Sequence, residues 1–402
     1  MPATETKSID TMIAANATPV DPAASLLGVY RPAAPVFTHG EGCELIAEDG
    51  RRWLDFTSGI AVNALGYGDA DVAAAVRGAL DAGVVHTSNL FRTQPAAELA
   101  AWLTAHSFAD RVFFCNSGTE ANEGAIKFAR KWAGAVKREI VAFRGGFHGR
   151  TMGSLAATDR PAYQEPFAPL MPGVRFADVG DVQGLEARLS RGNTAAVIIE
   201  PIQAEGGVRP VPAEFLKAVR HLCDRHGALL ILDEVQTGLG RTGWLWAHEA
   251  AGIAPDIMTL AKPLAGGLPM GAVLVTESVA AALQPGDHGT TFGGGPLVAS
   301  AALATVKKID ALLPGVRAKG TLLADLLGAL ALRRPCVRAV RGAGMLWGIE
   351  VDDAAAIVGR ALDAGLLLCS AGADVVRLLP PLVIGDDELR RGVALLEEAI
   401  GC

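Results

Sequence analysis

The sequence has no run of about 18 consecutive apolar residues, the length a helix needs to cross a bilayer, so no membrane span is expected. It has no CxxC pair and no Cys/His cluster at metal spacing. Its six cysteines, Cys43, Cys115, Cys223, Cys336, Cys369 and Cys402, are scattered and read as reduced thiols of a cytoplasmic protein, with no structural metal. A basic footprint is also missing: 36 Lys and Arg stand against 43 Asp and Glu, a net charge of -7 that argues against a nucleic-acid partner. No block of like charges forms an interaction tail, so a small anionic ligand would need local cations. The opening "MPATETKSIDTMIAANATPVDPAA" lacks a charged stretch followed by an apolar one, and reads as an arm (residues 1–27) instead of a secretory signal. Internal repeats are absent too. What remains is a chain of 402 residues, 50% hydrophobic and 20% charged, long enough for two domains.

Apolar strand-like runs alternate with helical stretches. "RVFFCN" (111–116) precedes "EANEGAIKFARKWAGA" (120–135); "REIVAFRG" (138–145) and "TAAVIIEP" (194–201) follow; then come "PAEFLKAVRHLCDRHG" (212–227), "ALLILDE" (228–234), "DIMTLA" and "MGAVLVT" (270–276). This alternation predicts an α/β fold with a mainly parallel sheet covered by helices on both faces. Such strands carry polar residues at their carboxyl ends, where open α/β sheets bind ligands. The last hundred residues differ, with helices over "PLVASAALATVKKIDALL", "DAAAIVGRALDAG" and "DDELRRGVALLEEAIG" around short strands "GMLWGIEV" and "VVRLLPP". They predict a smaller α+β domain.

Three constellations stand at strand ends. In "CNSGTEANEGAIK" (115–127) a strand meets a helix at Asn116-Ser117-Gly118-Thr119, which is either a plain N-cap or a phosphate cradle of free backbone N–H groups and hydroxyls. In "LILDEVQTGLGRTG" (230–243) Asp233 ends a buried strand, where its carboxylate needs a cap to make or a cationic partner such as a protonated ring nitrogen. In "MTLAKPLAGGLPMGAVLV" (258–275) Lys262 sits among apolar and glycine residues, either snorkelling or held as a nucleophilic amine. Together they supply what pyridoxal 5'-phosphate requires: a phosphate anchor, a pyridinium partner and an amine for its aldehyde.

From about residue 28 onward the sequence resembles the class III aminotransferases of the fold-type I pyridoxal-phosphate enzymes, and most of all their acetylornithine branch. The resemblance rests on "DGRRWLDFTSGIAVNALGYG" (49–68), "HTSNLF" (86–91), "NSGTEANEGAIKFAR" (116–130), "FHGRTMGSLAAT" (147–158), "EPIQAEGGV" (200–208), "LDEVQTGLGRTG" (232–243), "AKPLAGGLPMGA" (261–272), "HGTTFGGGPLVASAA" (288–302) and "RLLPPLVI" (377–384), in the family's order. It implies a seven-stranded-type, mainly parallel sheet in a large domain (61–292), a small domain (28–60 with 293–402), and a homodimer. It also implies roles for individual residues. Ser117, Gly118 and Thr119 would hold the phosphate, Phe147 and Val235 would cover the two ring faces, Asp233 would pair with the ring nitrogen and Gln236 with the phenolic oxygen. Lys262 would be the covalent and proton-moving lysine. Thr291 would reach the partner subunit's phosphate, and Thr290 would contact substrate. Arg150 would take the donor's α-carboxylate, and Arg377 that of glutamate or 2-oxoglutarate, with Glu205 covering Arg377 while the amine donor is bound. His148 receives no catalytic role.

The implied reaction passes the terminal amine of N2-acetyl-L-ornithine to 2-oxoglutarate, giving N-acetyl-glutamate 5-semialdehyde and glutamate, a step of arginine biosynthesis. Ile60 in "DFTSGIAV", where ornithine aminotransferases carry a tyrosine, favours an acylated donor. Ornithine, 4-aminobutyrate and succinylornithine remain alternative donors, and an inactive cofactor-binding regulatory relative is the alternative of another class. "AKPLAGG", "GYGDA" (66–70) and "GGGP" (293–296) depart from the common family forms, at no position assigned to a cofactor group.

Overall fold

The structure is a computed structural model in which residues 25–401 are described. Two compact units divide the chain, 1–37 and 38–402. Most of the expected arm, 1–24, and Cys402 lie outside the described residues.

The second unit is built on a seven-stranded sheet. From edge to edge its strands are Arg111–Cys115, Gly271–Val275, Ile257–Leu260, Leu229–Asp233, Thr194–Ile199, Glu139–Phe143 and Val174–Ala177. Only Gly271–Val275 runs antiparallel to its neighbours. Thr194–Ile199 and Leu229–Asp233 are buried along their whole length, as expected of strands covered on both faces. Their side chains alternate between two cores. Ile198 and Ile231 pack with Ala125, Ile126 and Ala129 of helix Gly118–Ala133, while Val197, Leu230 and Leu232 pack with Phe215, Val219 and Leu222 of helix Ala213–His226. Each such aliphatic side chain contributes about 1.5–3 kcal/mol when fully buried. This rigid sheet holds the site that follows at its carboxyl end.

A second, antiparallel sheet takes the order Ala339–Ala343, Leu346–Glu350, Val375–Leu378, Cys369–Ser370. It carries Arg377. Strand Leu366–Leu367 pairs in parallel with Arg52–Asp55, which joins the early and late parts of the chain in another sheet.

Two local departures from expectation have physical causes. The helix expected to end near Leu313 continues as Pro296–Arg333, through Pro314. An internal proline costs about 3 kcal/mol, and burial of Leu313, Val316, Leu323, Leu327 and Leu330 on either side of it offsets that cost. Cys336 is disulfide-bonded, whereas Cys43, Cys115, Cys223 and Cys369 are free as expected. Sequence spacing does not report which thiols the fold brings together. Among the described residues no helix is long and apolar enough to cross a membrane, and no His/Cys/Asp/Glu group is arranged to hold a metal ion.

Candidate active site

The polar residues at the carboxyl ends of the central strands converge on a cavity of about 260 Å³. Gly118 and Thr119 enter it from the start of helix Gly118–Ala133, Phe147 and Arg150 from the loop after Glu139–Phe143, Glu200 from the end of Thr194–Ile199, and Glu205 from the turn between the short strands Ile202–Gln203 and Arg209–Pro210. Asp233 ends strand Leu229–Asp233 and Val235 and Gln236 follow it, and Lys262 follows Ile257–Leu260.

Asp233 is held from three sides. Its Oδ2 accepts hydrogen bonds from Asn122 Nδ2 and His148 Nδ1, both at 2.8 Å, and its Oδ1 accepts from the Val235 N–H at 3.1 Å. Thr259 donates to Asn122 Oδ1 at 2.8 Å, which turns the Asn122 amide toward Asp233. Burial alone would lower the pKa of His148, but the hydrogen bond and charge of Asp233, aided by Glu200, outweigh it and raise it. The buried carboxylate is thus paired and fixed in direction, which an unpaired one could not be.

Lys262 is half-buried, with its exposed surface turned to this cavity. Burial pushes its pKa down from 10.5 to about 8; Arg377 adds to the effect, and Glu205, Asp233 and Glu200 resist it. An amine so placed reaches its neutral, nucleophilic form close to physiological pH. Arg377 is buried, its Nη1 donating to Glu205 Oε1 at 2.5 Å and to Gln236 Oε1 at 3.1 Å, its Nε lying 3.4 Å from Cys369 Sγ. Burial would raise the Glu205 pKa, yet Arg377 and then Lys262 hold it below the usual carboxylate range. The main chain of this loop is tied down by Arg160 Nη2 to the Glu205 carbonyl at 2.7 Å and by Arg341 Nε to the Gly207 carbonyl at 2.8 Å.

The residues present suit a flat, phosphorylated cofactor. Phe147 and Val235 offer apolar surfaces to the cavity. A Cβ on Gly118 would stand 2.7 Å from Val235 Cγ1, so only glycine brings this helix start so close. The same helix presents unsatisfied N–H groups and the positive end of its dipole, apt for a phosphate.

Three further expected site residues do not line this cavity. Ser117 serves as N-cap, its hydroxyl accepting from the Glu120 N–H at 3.3 Å, and does not line the cavity. Thr290 and Thr291 line a separate, larger cleft of about 420 Å³ with His86 and Asn89, in which no lysine or carboxylate takes part. Thr290 is fixed there by Asn116 Nδ2 to its hydroxyl at 3.1 Å and by Asn89 Nδ2 to its carbonyl at 2.6 Å. The smaller cavity is the one that brings together the lysine, the carboxylates and the helix start. Ile60 is exposed and outside it, in a left-handed turn in which Ser58, Gly59, Ile60 and Ala61 have φ of 47°, 58°, 63° and 67°. A β-branched residue in that region is strained.

Three residues of the site escaped sequence reasoning: Asn122, His148 as the partner of Asp233, and Glu200. The last is buried, accepts from the N–H groups of Phe147 at 2.9 Å and Ala204 at 3.2 Å, and is pushed by burial up to about 7. Their only sequence signal is a polar side chain in an otherwise apolar or glycine-rich stretch.

Comparison with known proteins agrees with this geometry. The family model described as aminotransferase class-III matches residues 29–400. A mitochondrial acetylornithine aminotransferase of Alnus glutinosa is 50% identical over 93% of this chain and 85% of its own length; the acetylornithine aminotransferase of Gloeobacter violaceus is 47% identical over 92% and 94%. Among solved structures, the N-acetylornithine aminotransferase of Stenotrophomonas maltophilia superposes with a TM-score of 0.80 at 40% identity, covering 92% of this chain and 96% of that one. The ornithine aminotransferase of Toxoplasma gondii superposes with a TM-score of 0.89 at 32% identity, covering 94% and 92%. Backbone likeness is therefore shared by enzymes named for either donor. The chain belongs to the class III aminotransferases.

Proposed function

We propose that this protein is a pyridoxal-phosphate-dependent acetylornithine aminotransferase, which passes the terminal amine of N2-acetyl-L-ornithine to 2-oxoglutarate in arginine biosynthesis. The observation that carries the reading is the Arg377–Glu205 pair, whose Glu205 carboxylate lines the cavity with Lys262 and whose two charges both act on the Lys262 amine: a buried cation suited to a carboxylate, covered by one. Relatives named acetylornithine aminotransferase at 45–50% identity support the choice of donor.

Gly118 and Thr119, with Ser117 shaping the helix start, would hold the phosphate; Phe147 and Val235 would flank the ring; Gln236 would face the phenolic oxygen. When bound, the cofactor supplies an aldehyde carbon that carries the amino group and a ring that accepts the electrons released at the amine-bearing carbon. Asp233, fixed by Asn122 and His148, would keep a proton on the ring nitrogen. Lys262 would anchor the cofactor and then move the proton off the donor's amine-bearing carbon. Arg150 would bind the donor's α-carboxylate, and Arg377 that of 2-oxoglutarate once Glu205 has turned away.

A cytoplasmic homodimer completes the reading. Thr291 would reach the partner's phosphate, with Thr290 beside the substrate. The support is their position in a cleft next to exposed Leu90, Phe91 and Phe292, apolar surface that a second subunit would cover. Freedom of four of the five described cysteines supports the compartment. Residues 28–60 and 293–402 would act as a smaller domain against 61–292, supported by the pairing of Leu366–Leu367 with Arg52–Asp55. Ornithine, 4-aminobutyrate and succinylornithine are the competing donors.

The test is a donor panel with 2-oxoglutarate as acceptor. N2-acetyl-L-ornithine should exceed ornithine in kcat/KM by about two orders of magnitude, because the free α-ammonium would enter the site unpaired. A higher kcat/KM for ornithine or 4-aminobutyrate would overturn the choice of donor and leave the family intact.

A further inference from the structure

Arg150 differs from the other cation of the site. Arg377 is buried and hydrogen-bonded through its guanidinium, whereas the Arg150 side chain is exposed and, among the described residues, makes no hydrogen bond or ion pair. An unrestrained arginine side chain would sample many rotamers and give a carboxylate poor directional recognition. Here one ring lies in stacking contact with it and a second stands nearby. The Cζ of Arg150 stands 3.4 Å from the centroid of the Tyr163 ring, and the Phe147 ring lies 5.9 Å away. The guanidinium edge, with its N–H donors, is what this arrangement leaves for a ligand.

The Tyr163 platform is itself fastened. It belongs to the short helix Pro161–Gln164. At one end Arg160 donates to the Glu205 carbonyl at 2.7 Å; at the other, Gln164 Nε2 donates to the carbonyls of Thr158 at 2.8 Å and Leu155 at 3.0 Å. The Arg150 main chain is held as well, its N–H donating to Thr119 Oγ1 at 3.2 Å. Among the described residues the Tyr163 hydroxyl has no hydrogen-bond partner, so the ring face is the part in use.

We propose that Tyr163 is a positioning residue for donor recognition, which stacks on Arg150 and presents the guanidinium edge to the α-carboxylate of the amine donor. The inference rests on the assignment of Arg150 to that carboxylate. Arg377 takes the α-carboxylate of 2-oxoglutarate, so Tyr163 can touch that half of the reaction only through the distal carboxylate.

The experiment compares Tyr163→Leu, Tyr163→Phe, Arg150→Ala and the double variant Tyr163→Leu/Arg150→Ala in the holoenzyme. Readouts are KM and kcat for N2-acetyl-L-ornithine and the dissociation constant of N2-acetyl-L-norvaline, which keeps the acetylated α-carboxylate end and lacks the reacting amine. A stacking contribution at an exposed site corresponds to about a two- to five-fold change. Tyr163→Leu should raise the donor KM and the norvaline dissociation constant by that factor, leave kcat in place, and add nothing in the Arg150→Ala background. Tyr163→Phe should restore wild-type values. A fall in kcat with the donor KM unchanged, loss in Tyr163→Phe as large as in Tyr163→Leu, or a full effect without Arg150 would overturn the inference. If Arg150→Ala left the donor KM unchanged, the assignment of Arg150 would fail; a raised donor KM there with none in Tyr163→Leu would defeat the role of Tyr163 alone.

Discussion

Replacing Lys262 by methionine should make the cofactor-free protein more stable at neutral pH. Burial lowers the lysine from 10.5 to about 8, a difference of 2.5. At about 1.36 kcal/mol for each tenfold change in proton affinity, holding the ammonium in the fold costs about 3 kcal/mol. That is a large share of the ~5–15 kcal/mol that a domain commonly has. Methionine keeps an unbranched chain and brings no charge, so it removes this cost without a large change in packing. The pH dependence carries the sign. Between pH 8 and 10.5 the unfolded lysine still holds its proton while the native one has released it, so wild-type stability rises with pH across that window. Urea unfolding of both proteins, stripped of cofactor, from pH 6 to 10 should show Lys262→Met ahead by up to about 3 kcal/mol below pH 8, with the gap narrowing above it. A variant less stable than wild type at pH 7, or a gap that stays constant with pH, would refute the reasoning.

Asp233→Asn should retain the fold, checked by circular dichroism, while kcat falls by at least about 10²-fold, because the ring nitrogen would lose its anionic partner. Glu205→Gln should uncover Arg377 and slow the amine-donor half-reaction by about tenfold or more while the 2-oxoglutarate half-reaction is spared, as stopped-flow absorbance of each half would report.

The central sheet was legible in the sequence because its strands are buried on both faces: "TAAVIIEP" and "ALLILDE" can be little else. Strand Val174–Ala177 at the sheet edge and strand Ala339–Ala343, half-buried throughout, were not, since a strand with one partner or one covered face tolerates arginine and glycine and leaves no continuous apolar signal. Pro314 reads as a helix stop, and tertiary burial on both sides overrides it. At the site, Lys262 and Asp233 stand out because charge in an apolar run must be paired or functional. The pairings themselves are long-range: His148 meets Asp233 across 85 positions, and Arg377 meets Glu205 across 172. Nothing in "AEGG" or "VVRLLPP" alone tells a surface acid and a strand-edge cation from a buried pair. The family resemblance supplied those roles, and the folded chain brings Arg377 and Glu205 into contact.

The central claim is that the amine of Lys262 carries the cofactor in this cavity. Borohydride reduction of the holoenzyme followed by peptide mapping tests it most directly. The account predicts a single phosphopyridoxyl adduct, on Lys262 in "MTLAKPLAGG", and none in the Lys262→Ala variant. An adduct on any other lysine, or unchanged labelling of Lys262→Ala, would contradict it.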